Sequence, residues 1–185
     1  RCDWSSDVCS SDLADKKGII HFHSLKHLLK TKLELKIPKS IITTHKGVFF
    51  HYDNVIICYA NNQLKTWDSN DDDAFYGLFY ANDKIYAAKL NSGLYSLSSN
   101  TFVKSPNGGR YTHENKIYAI TNFSGKTYIQ TSEGSIDDYS NPSQVVSVKL
   151  AYTRPSYNAI NVLDQYYSSG TFSDGVLIYD RNFNL

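Results

Sequence analysis

Three histidines near the start of the chain have the most suggestive spacing for chemistry. His21, His23 and His27 form the pattern H-x-H-x3-H, and histidines at i and i+2 of a strand share a face from which two imidazoles can bind one metal ion. A site of this kind needs a third ligand, and no Cys or carboxylate lies within the pattern. We therefore expect exposed histidines on a sheet edge and predict no metal site.

Two groups of adjacent carboxylates are the other candidates. Asp71-Asp72-Asp73 lacks the alternating ligands and the glycine of a calcium loop, so a solvated loop is expected. Asp137 and Asp138 are consecutive in a predicted strand, point to opposite faces and cannot form an acid–base pair. No G-x-S-x-G, phosphate-binding loop or H-E-x-x-H motif occurs. The prediction is a non-enzymatic chain without catalytic, cofactor-binding or metal-binding residues.

Glycines at a constant spacing indicate the secondary structure in which the histidines and carboxylates lie. Gly93, Gly134 and Gly175 lie 41 residues apart in each case, inside DKIYAAKLNSGLYSL, GKTYIQTSEGSIDDY and DQYYSSGTFSDGVLIYD. Each phrase joins two apolar runs through a polar turn, which is typical of a β-hairpin whose turn needs a glycine conformation. Hairpins that recur about every 40 residues are typical of β-propellers and related repeat folds.

A second series of motifs has a similar period. YGLF, IYAI and YNAI begin at Tyr76, Ile117 and Tyr157, at spacings of 41 and 40 residues. The fifteen Tyr and nine Phe favour strands. We predict an all-β fold, a partial β-propeller of about four blades with a period of about 41 residues in an incomplete ring. The alternative is three unrelated hairpins in an ordinary β-sandwich.

The repeat divides the chain into segments of different regularity. Residues 75–185 are expected to form regular blades, truncated at the C-terminus, and residues 14–74 to form one or two irregular ones. Within 14–74, strands are expected at 47–52 and 54–68, with a turn at Asn61-Asn62. For residues 24–35, strand pieces joined by a loop are favoured, and a helix is the alternative.

The start of the chain resembles something other than protein. Residues 2–13, CDWSSDVCSSDL, are similar to one reading frame of a common DNA-sequencing adapter, so residues 1–13 are expected to be a non-structural artefact. Residues 14–185 contain no Met and are expected to be an internal piece of a longer reading frame. Their single cysteine, Cys58, lies in the apolar run VIICY, where a buried thiol is expected and no disulfide framework is possible.

Net charge argues against nucleic acid as a partner. The formal net charge is +1, and it is +3 once the one Arg and three Asp of residues 1–13 are set aside. The Lys residues are scattered, whereas nucleic-acid-binding domains concentrate basic residues on one surface. No apolar stretch approaches the roughly 20 residues of a membrane helix. We predict no nucleic-acid binding by this segment, and membrane attachment only through parts outside it.

Several phrases resemble a known family. GLYSL, ENKIYAITNFSGKTYIQTSEGSIDDYS and YNAINVLDQYYSSGTFSDGVLIYD are similar to the two-component-regulator propeller repeats of bacterial sensors and transcriptional regulators, Bacteroidetes-like proteins that carry a triple-tyrosine domain. The family's turn motif, G-T followed by a glycine, is matched at Thr131 with Gly134 and at Gly170-Thr171 with Gly175, and less well at Lys89 with Gly93. The resemblance covers residues 75–185 and, more weakly, residues 18–68.

This resemblance implies a non-catalytic sensory propeller, the periplasmic part of a membrane-anchored regulator of signal transduction or transcription. In such proteins a triple-tyrosine domain, a membrane helix and a kinase or helix-turn-helix output domain follow the propeller. The implied partner is an unidentified ligand, with glycans as one class, or a protein, and a homodimer of the intact parent is a further expectation. No cofactor is expected. Two alternatives stay open: part of a propeller enzyme acting on glycans, and an interaction scaffold, for which Trp67-Asp68 is the one matching dipeptide.

Overall fold

The computed structural model describes residues 10–14, 20–24, 37–69, 71–150, 156–162, 165–171 and 175–185. These residues form antiparallel strands and turns, with two single-turn 3₁₀ helices at Asp71–Asp73 and Gly108–Arg110. The all-β class predicted from the recurring hairpin motifs and the strand-favouring composition is confirmed. The chain divides into two units, residues 1–68 and 69–185.

The first unit contains a hairpin and a four-stranded antiparallel sheet. In the hairpin β1 (Ser10–Ala14) pairs with β2 (Ile20–Ser24), and the sheet has the order β3 (Ser40–Thr44), β4 (Gly47–His51), β5 (Val55–Ala60), β6 (Gln63–Asp68). Asn61 and Asn62 have φ of 50° and 60° and join β5 to β6 as a two-residue type I′ turn. The turn predicted at these two asparagines is therefore confirmed.

Two of the predictions for this unit fall partly outside the described residues. β1 includes residues 10–13 of the segment that resembles an adapter, and residues 1–9 are not among those described. The origin of that segment stays a prediction. Of the window 24–35, only Ser24 is described, as the last residue of β2.

The second unit contains three antiparallel sheets in which each strand pairs with the next in sequence. The first sheet contains β7 (Phe75–Ala81), β8 (Lys84–Lys89), β9 (Gly93–Ser98) and β10 (Thr101–Lys104). The middle sheet contains β11 (Ile117–Phe123), β12 (Lys126–Thr131), β13 (Ser135–Asp138) and β14 (Val146–Lys149). The last sheet contains β15 (Ser156–Val162), β16 (Tyr166–Thr171) and β17 (Val176–Tyr179). β11, the first strand of the middle sheet, contacts both β7 and β15. Sheets that meet through their first strands are arranged as propeller blades are, so the fold is propeller-like.

Consecutive sheets of this unit pack face to face through aromatic and aliphatic side chains. Leu94 and Ile129 belong to the core between the β7–β10 and β11–β14 sheets. Phe123 and Tyr167 belong to the core between the β11–β14 and β15–β17 sheets, with their ring centroids 6.0 Å apart. The middle sheet thus buries apolar side chains on both faces, which explains the near-continuous apolar runs in its strands.

The first strand of each sheet in this unit carries the same irregularity. The strand register shifts between Phe75 and Gly77, between Ile117 and Ala119, and between Ser156 and Asn158. The extra residue of each β-bulge is a tyrosine: Tyr76, Tyr118 and Tyr157. The structural equivalent of Tyr76 is therefore Tyr118, one residue after the start of the IYAI motif.

Tyr76 shows what the bulge does. Its hydroxyl donates to the carbonyl oxygen of Tyr111 at 3.3 Å and accepts from the amide of Ile117 at 3.0 Å. A tyrosine of one sheet therefore satisfies backbone groups where the next sheet begins, which links consecutive sheets at their first strands.

The repeat glycines all adopt a backbone conformation that other residues avoid. Their φ values are 88° at Gly93, 73° at Gly134 and 76° at Gly175, which confirms the prediction that the turns need glycine. Gly93 and Gly175 hold equivalent positions in the strand pairing, whereas Gly134 lies one residue earlier. At Gly93 a Cβ would lie 2.1 Å from the carbonyl oxygen of Gly108, so this glycine is also required for a close backbone approach.

Candidate functional site

A polar cleft of about 460 Å³ opens between the β10–β11 connection and strands β13 and β14. Its lining combines two cations, one carboxylate, one amide and two hydroxyls. The lining residues are Arg110, Asn115, Glu133, Ser135, Ser147 and Lys149. None of them stands out in the sequence, because they come from a loop, a turn and two strands and form no compact motif. The polar loop SPNGG before Arg110 is the only local signal.

A tight loop places Arg110 at the cleft. Asn107 has a left-handed backbone with φ of 53° and precedes the 3₁₀ turn that ends at Arg110. The amide of Gly108 donates to the carbonyl oxygen of Ser105 at 2.8 Å. The side-chain amide of Asn107 donates to the carbonyl oxygen of Pro142 at 2.7 Å. The loop is thus closed internally and tied to the β13–β14 connection of the next sheet.

A buried carboxylate lies beside Arg110. Asp137 is fully buried, and its Oδ2 accepts a 2.7 Å hydrogen bond from the hydroxyl of Tyr111. Nε of Arg110 lies 3.7 Å from the same oxygen, so a positive charge of one sheet faces a negative charge of the next. Burial, and after it the hydrogen bond to Asp137, raises the pKa of Tyr111. Tyr111 is therefore a neutral hydrogen-bond donor at physiological pH.

Arg110 lies over a polar patch of β13 and β14. Ser135 pairs with Lys149 and Asp137 pairs with Ser147, so these four side chains share one face of the sheet. Nη2 of Arg110 donates to Oγ of Ser147 at 3.1 Å. The Arg110 side chain is nevertheless 41% exposed, which leaves N–H groups directed towards the cleft.

Hydrogen-bond acceptors also line the cleft. Glu133 is exposed on the turn between β12 and β13, which is held by a 2.8 Å hydrogen bond between Oγ1 of Thr131 and Oγ of Ser135. Oδ1 of Asn115 is buried without a hydrogen-bond partner among the described residues, and Oδ1 of Asp137 behind the cleft is in the same position. A buried acceptor without a donor costs about 1–3 kcal/mol, so these two oxygens lower the stability of the sheet contact beside the cleft.

The arrangement is suited to binding a polar ligand. An anionic group would contact Arg110 and Lys149, while hydroxyl groups would donate to Glu133. In the part of the chain that the structure describes, no three His, Cys, Asp or Glu side chains are grouped so that they could hold a metal ion.

The adjacent carboxylates Asp137 and Asp138 point to opposite faces, as predicted. Asp137 faces Tyr111, whereas Asp138 accepts hydrogen bonds from Nζ of Lys126 at 2.8 Å and from the amide of Ser140 at 3.0 Å. Partial burial by itself would raise the pKa of Asp138, but these hydrogen bonds outweigh it and the pKa is lowered. The two carboxylates therefore have separate structural roles.

Asp73 differs from the solvated loop predicted for the aspartate run. Its carboxylate accepts hydrogen bonds from the amides of Asn91 and Ser92, at 2.8 and 3.0 Å, and from the Ser92 hydroxyl. Burial alone would raise the pKa of Asp73, but these bonds lower it. The carboxylate fastens the loop before β7 to the turn between β8 and β9. The neighbouring Asp72 is exposed, as expected.

The remaining sequence candidates are only partly described. Cys58 is buried, as predicted, and burial raises the pKa of its thiol. The backbones of His21 and His23 lie on β2, two residues apart, but their side chains are not among the parts described. His27 lies outside the described residues.

Comparisons with known proteins show similarity in fold only. No protein family and no curated protein matches the sequence. The crystal structure of BBS1N in complex with ARL6DN has a TM-score of 0.54 and 12% identity, over 80% of this chain and 50% of that chain. The computationally designed Ika4 protein has a TM-score of 0.58 and 14% identity, over 83% of this chain and 96% of that chain. Glutaminyl cyclase of Myxococcus xanthus has a TM-score of 0.48 and 11% identity, over 78% of this chain and 66% of that chain.

At these identities the similarities to BBS1N and Ika4 bear on the all-β arrangement alone. The chain spans about half the length of the BBS1N chain and about two thirds of the glutaminyl cyclase chain. Within the described ranges, no helix is long and apolar enough to cross a membrane.

Proposed function

We propose that this chain is a non-catalytic, ligand-binding part of a sensory β-propeller. Its sheets are consecutive blades with a period of about 41 residues, about four of them in an incomplete ring. The turn motif that it shares with two-component-regulator propeller repeats, at Thr131 with Gly134 and at Gly170-Thr171 with Gly175, supports a role in a bacterial membrane-anchored regulator of signalling or transcription. On this proposal the propeller is periplasmic, and kinase or DNA-binding activity belongs to parts outside these residues.

Arg110 is the observation that carries the proposal. It is held between a buried carboxylate, Asp137, and a hydroxyl, Ser147, yet its side chain is 41% exposed in the cleft. An arginine oriented in this way loses little conformational freedom when it binds an anion, and its planar guanidinium suits a carboxylate. The charge is therefore preorganised for recognition.

The rest of the cleft indicates the class of ligand. Lys149 adds a second cation, while the exposed carboxylate of Glu133 offers an acceptor for hydroxyl groups of the ligand. A ligand that carries a carboxylate and several hydroxyls satisfies both sides, and an acidic sugar is such a molecule. The volume of about 460 Å³ lies within the range of small-molecule sites, about 300–1,000 Å³.

A ligand in this cleft would act on the contact between two sheets. Arg110 belongs to the loop that follows β10, whereas Ser147 and Lys149 belong to β14 of the next sheet. A ligand that contacts both sides stabilises one relative position of the sheets, which is how occupancy would be transmitted.

The proposal is tested by calorimetric titration of the full chain with oligogalacturonate, with neutral galactose oligomers and acetate as reference ligands. We expect binding of the acidic oligomer that weakens about tenfold or more, 1.4 kcal/mol, in Arg110→Ala and Lys149→Ala. Lys84→Ala, which removes an exposed cation away from the cleft, is the matched control. The recovered oligomer is checked for cleavage by chromatography.

Two results would overturn the proposal. One is the absence of binding by any acidic saccharide, or equal affinity in wild type and Arg110→Ala. The other is cleavage of the oligomer, which would assign the cleft to an enzyme.

A further inference from the structure

Two charged side chains that line the Arg110 cleft have no partner of opposite charge. Lys149 and Glu133 are both exposed, and neither forms an ion pair with any of the residues that the structure describes. Arg110, by contrast, lies 3.7 Å from the buried carboxylate of Asp137. The cleft therefore presents to a ligand both a cation and a carboxylate whose charges the protein does not neutralise.

The strand pairing places these charges close together. Lys149 pairs with Ser135, which follows Glu133 by two residues. Arg110 contacts Ser147, which precedes Lys149 by two residues on the same face of β14. An anionic group held between Arg110 and Lys149 would thus lie close to Glu133, the exposed carboxylate of the cleft lining.

The turn that carries Glu133 is held by backbone hydrogen bonds. The amide of Gly134 donates to the carbonyl oxygen of Thr131 at 3.2 Å. The amide of Ser132 donates to the carbonyl oxygen of Lys116 at 2.8 Å, and Oγ of Ser132 accepts from the amide of Lys116 at 2.9 Å. These bonds tie the turn to the connection between β10 and β11. The backbone of Glu133 is therefore fixed beside the cleft when a ligand binds.

Positive and negative charges balance around the cleft. Arg110 and Lys149 are positive, whereas Glu133 in the lining and Asp137 behind it are negative. The attraction of an anion by the two cations is therefore opposed by repulsion from the two carboxylates, and each added negative charge on the ligand gains little. The N–H groups of Arg110 and Lys149 need an acceptor, which a singly charged group provides as well as a doubly charged one.

We propose that Glu133 is a specificity-determining residue, which makes the cleft select ligand groups with one negative charge over phosphate esters. A phosphate ester carries about −1.5 to −2 charges at neutral pH, whereas a carboxylate or a sulfate ester carries one. A like charge placed against the wrong ligand is one of the two ways in which proteins obtain specificity. The Glu133 carboxylate still accepts hydrogen bonds from sugar hydroxyls, so it does not exclude the sugar itself. This inference rests on the proposed function of the cleft.

The test is calorimetric titration of the full chain with galacturonate, galactose 6-sulfate and galactose 6-phosphate. The two esters share the sugar and the tetrahedral shape of the charged group, so they differ mainly in charge. We expect the wild type to bind the phosphate ester no more tightly than the sulfate ester. Glu133→Gln keeps an acceptor oxygen but removes the charge, and it should strengthen binding of the phosphate ester at least about threefold more than that of the sulfate ester.

Two further variants separate charge from structure. Glu133→Asp keeps a carboxylate on the turn and should retain the wild-type ratio of the two affinities. Asp72→Asn removes an exposed carboxylate that does not line the cleft, and it should leave both affinities unchanged. Circular dichroism of each variant checks that the fold is retained.

The outcomes distinguish this inference from the proposed function. A wild type that binds neither galacturonate nor either ester overturns both. A wild type that binds galacturonate, combined with a folded Glu133→Gln variant that does not favour the phosphate ester, overturns the selectivity alone. So does a wild type that binds the phosphate ester at least about threefold more tightly than the sulfate ester, because Glu133 would then not oppose the second charge.

Discussion

The hydroxyl of Tyr111 donates a 2.7 Å hydrogen bond to the buried carboxylate of Asp137, which joins the loop after one sheet to the third strand of the next. Arg110 approaches the same oxygen to 3.7 Å from the side of the cleft. One carboxylate therefore contacts both a buried hydrogen-bond donor, Tyr111, and a partly exposed cation, Arg110.

Removal of this hydroxyl should destabilise the fold. Tyr111→Phe leaves the Asp137 carboxylate buried without its closest donor, and we expect the free energy of unfolding to fall by about 1–3 kcal/mol. Urea denaturation followed by tyrosine fluorescence measures the change. Tyr95→Phe is the control, because the contact of the Tyr95 ring with Lys89 survives the substitution. Equal losses in both variants would contradict the role of the hydrogen bond.

Two of the repeat glycines should respond differently to alanine. Both have positive φ, which costs an alanine about 1–2 kcal/mol. At Gly175 a Cβ meets nothing within 4 Å, whereas at Gly93 it would lie 2.1 Å from the carbonyl oxygen of Gly108. We expect Gly93→Ala to lose about 1–3 kcal/mol more than Gly175→Ala in urea denaturation, because the backbones must separate. Similar losses would show that the contact with Gly108 is unimportant.

Stability should fall at alkaline pH. Burial raises the pKa of Tyr76 to about 12, although the hydrogen bond from the Ile117 amide lowers it, and burial also raises the pKa of Tyr139 to about 12. Tyrosines of the unfolded chain titrate near about pH 10. Between these pH values the unfolded state loses protons that the folded state keeps, so stability present below about pH 10 is lost as pH rises towards 12.

The alkaline effect is measured as the urea midpoint across this pH window. Tyr76→Phe should lower stability at neutral pH and make its dependence on pH shallower above about pH 10, because one shifted group is removed. A wild-type midpoint that stays constant up to pH 12 would contradict the prediction.

The buried side-chain amide of Gln130 should stabilise the contact between the last two sheets. Gln130 accepts a hydrogen bond from the Tyr167 hydroxyl at 2.8 Å and donates to Oγ of Ser169 at 2.9 Å. Gln130→Ala leaves two buried hydroxyls without these partners, at a cost of about 1–3 kcal/mol each, measured by thermal and urea unfolding. Gln63→Ala, at an exposed position, should leave stability nearly unchanged. A small loss at Gln130 would mean that the hydroxyls find other partners.

The turns of this protein were predictable because their causes are local. Asn61 and Asn62 tolerate the left-handed conformation of a type I′ turn, and Gly93 and Gly175 supply the positive φ of their turns. The correspondence between repeats was predictable only to within one residue. Tyr76 corresponds to Tyr118, and Gly134 lies one residue before the position that corresponds to Gly93, so equivalent positions of these two sheets are one residue further apart than the sequence motifs indicate. The apolar pattern does not reveal such one-residue shifts.

The sequence by itself determined that this chain is all-β, where its hairpin turns lie, and that Asp137 and Asp138 diverge. Tertiary structure alone decided that Arg110 meets Asp137 at a cleft, and that the strand VLIY exposes Val176 and Ile178. The physical reason is the distance along the chain over which each interaction acts. Backbone preference and side-chain alternation act within a few residues, whereas burial and charge pairing depend on which sheet lies opposite.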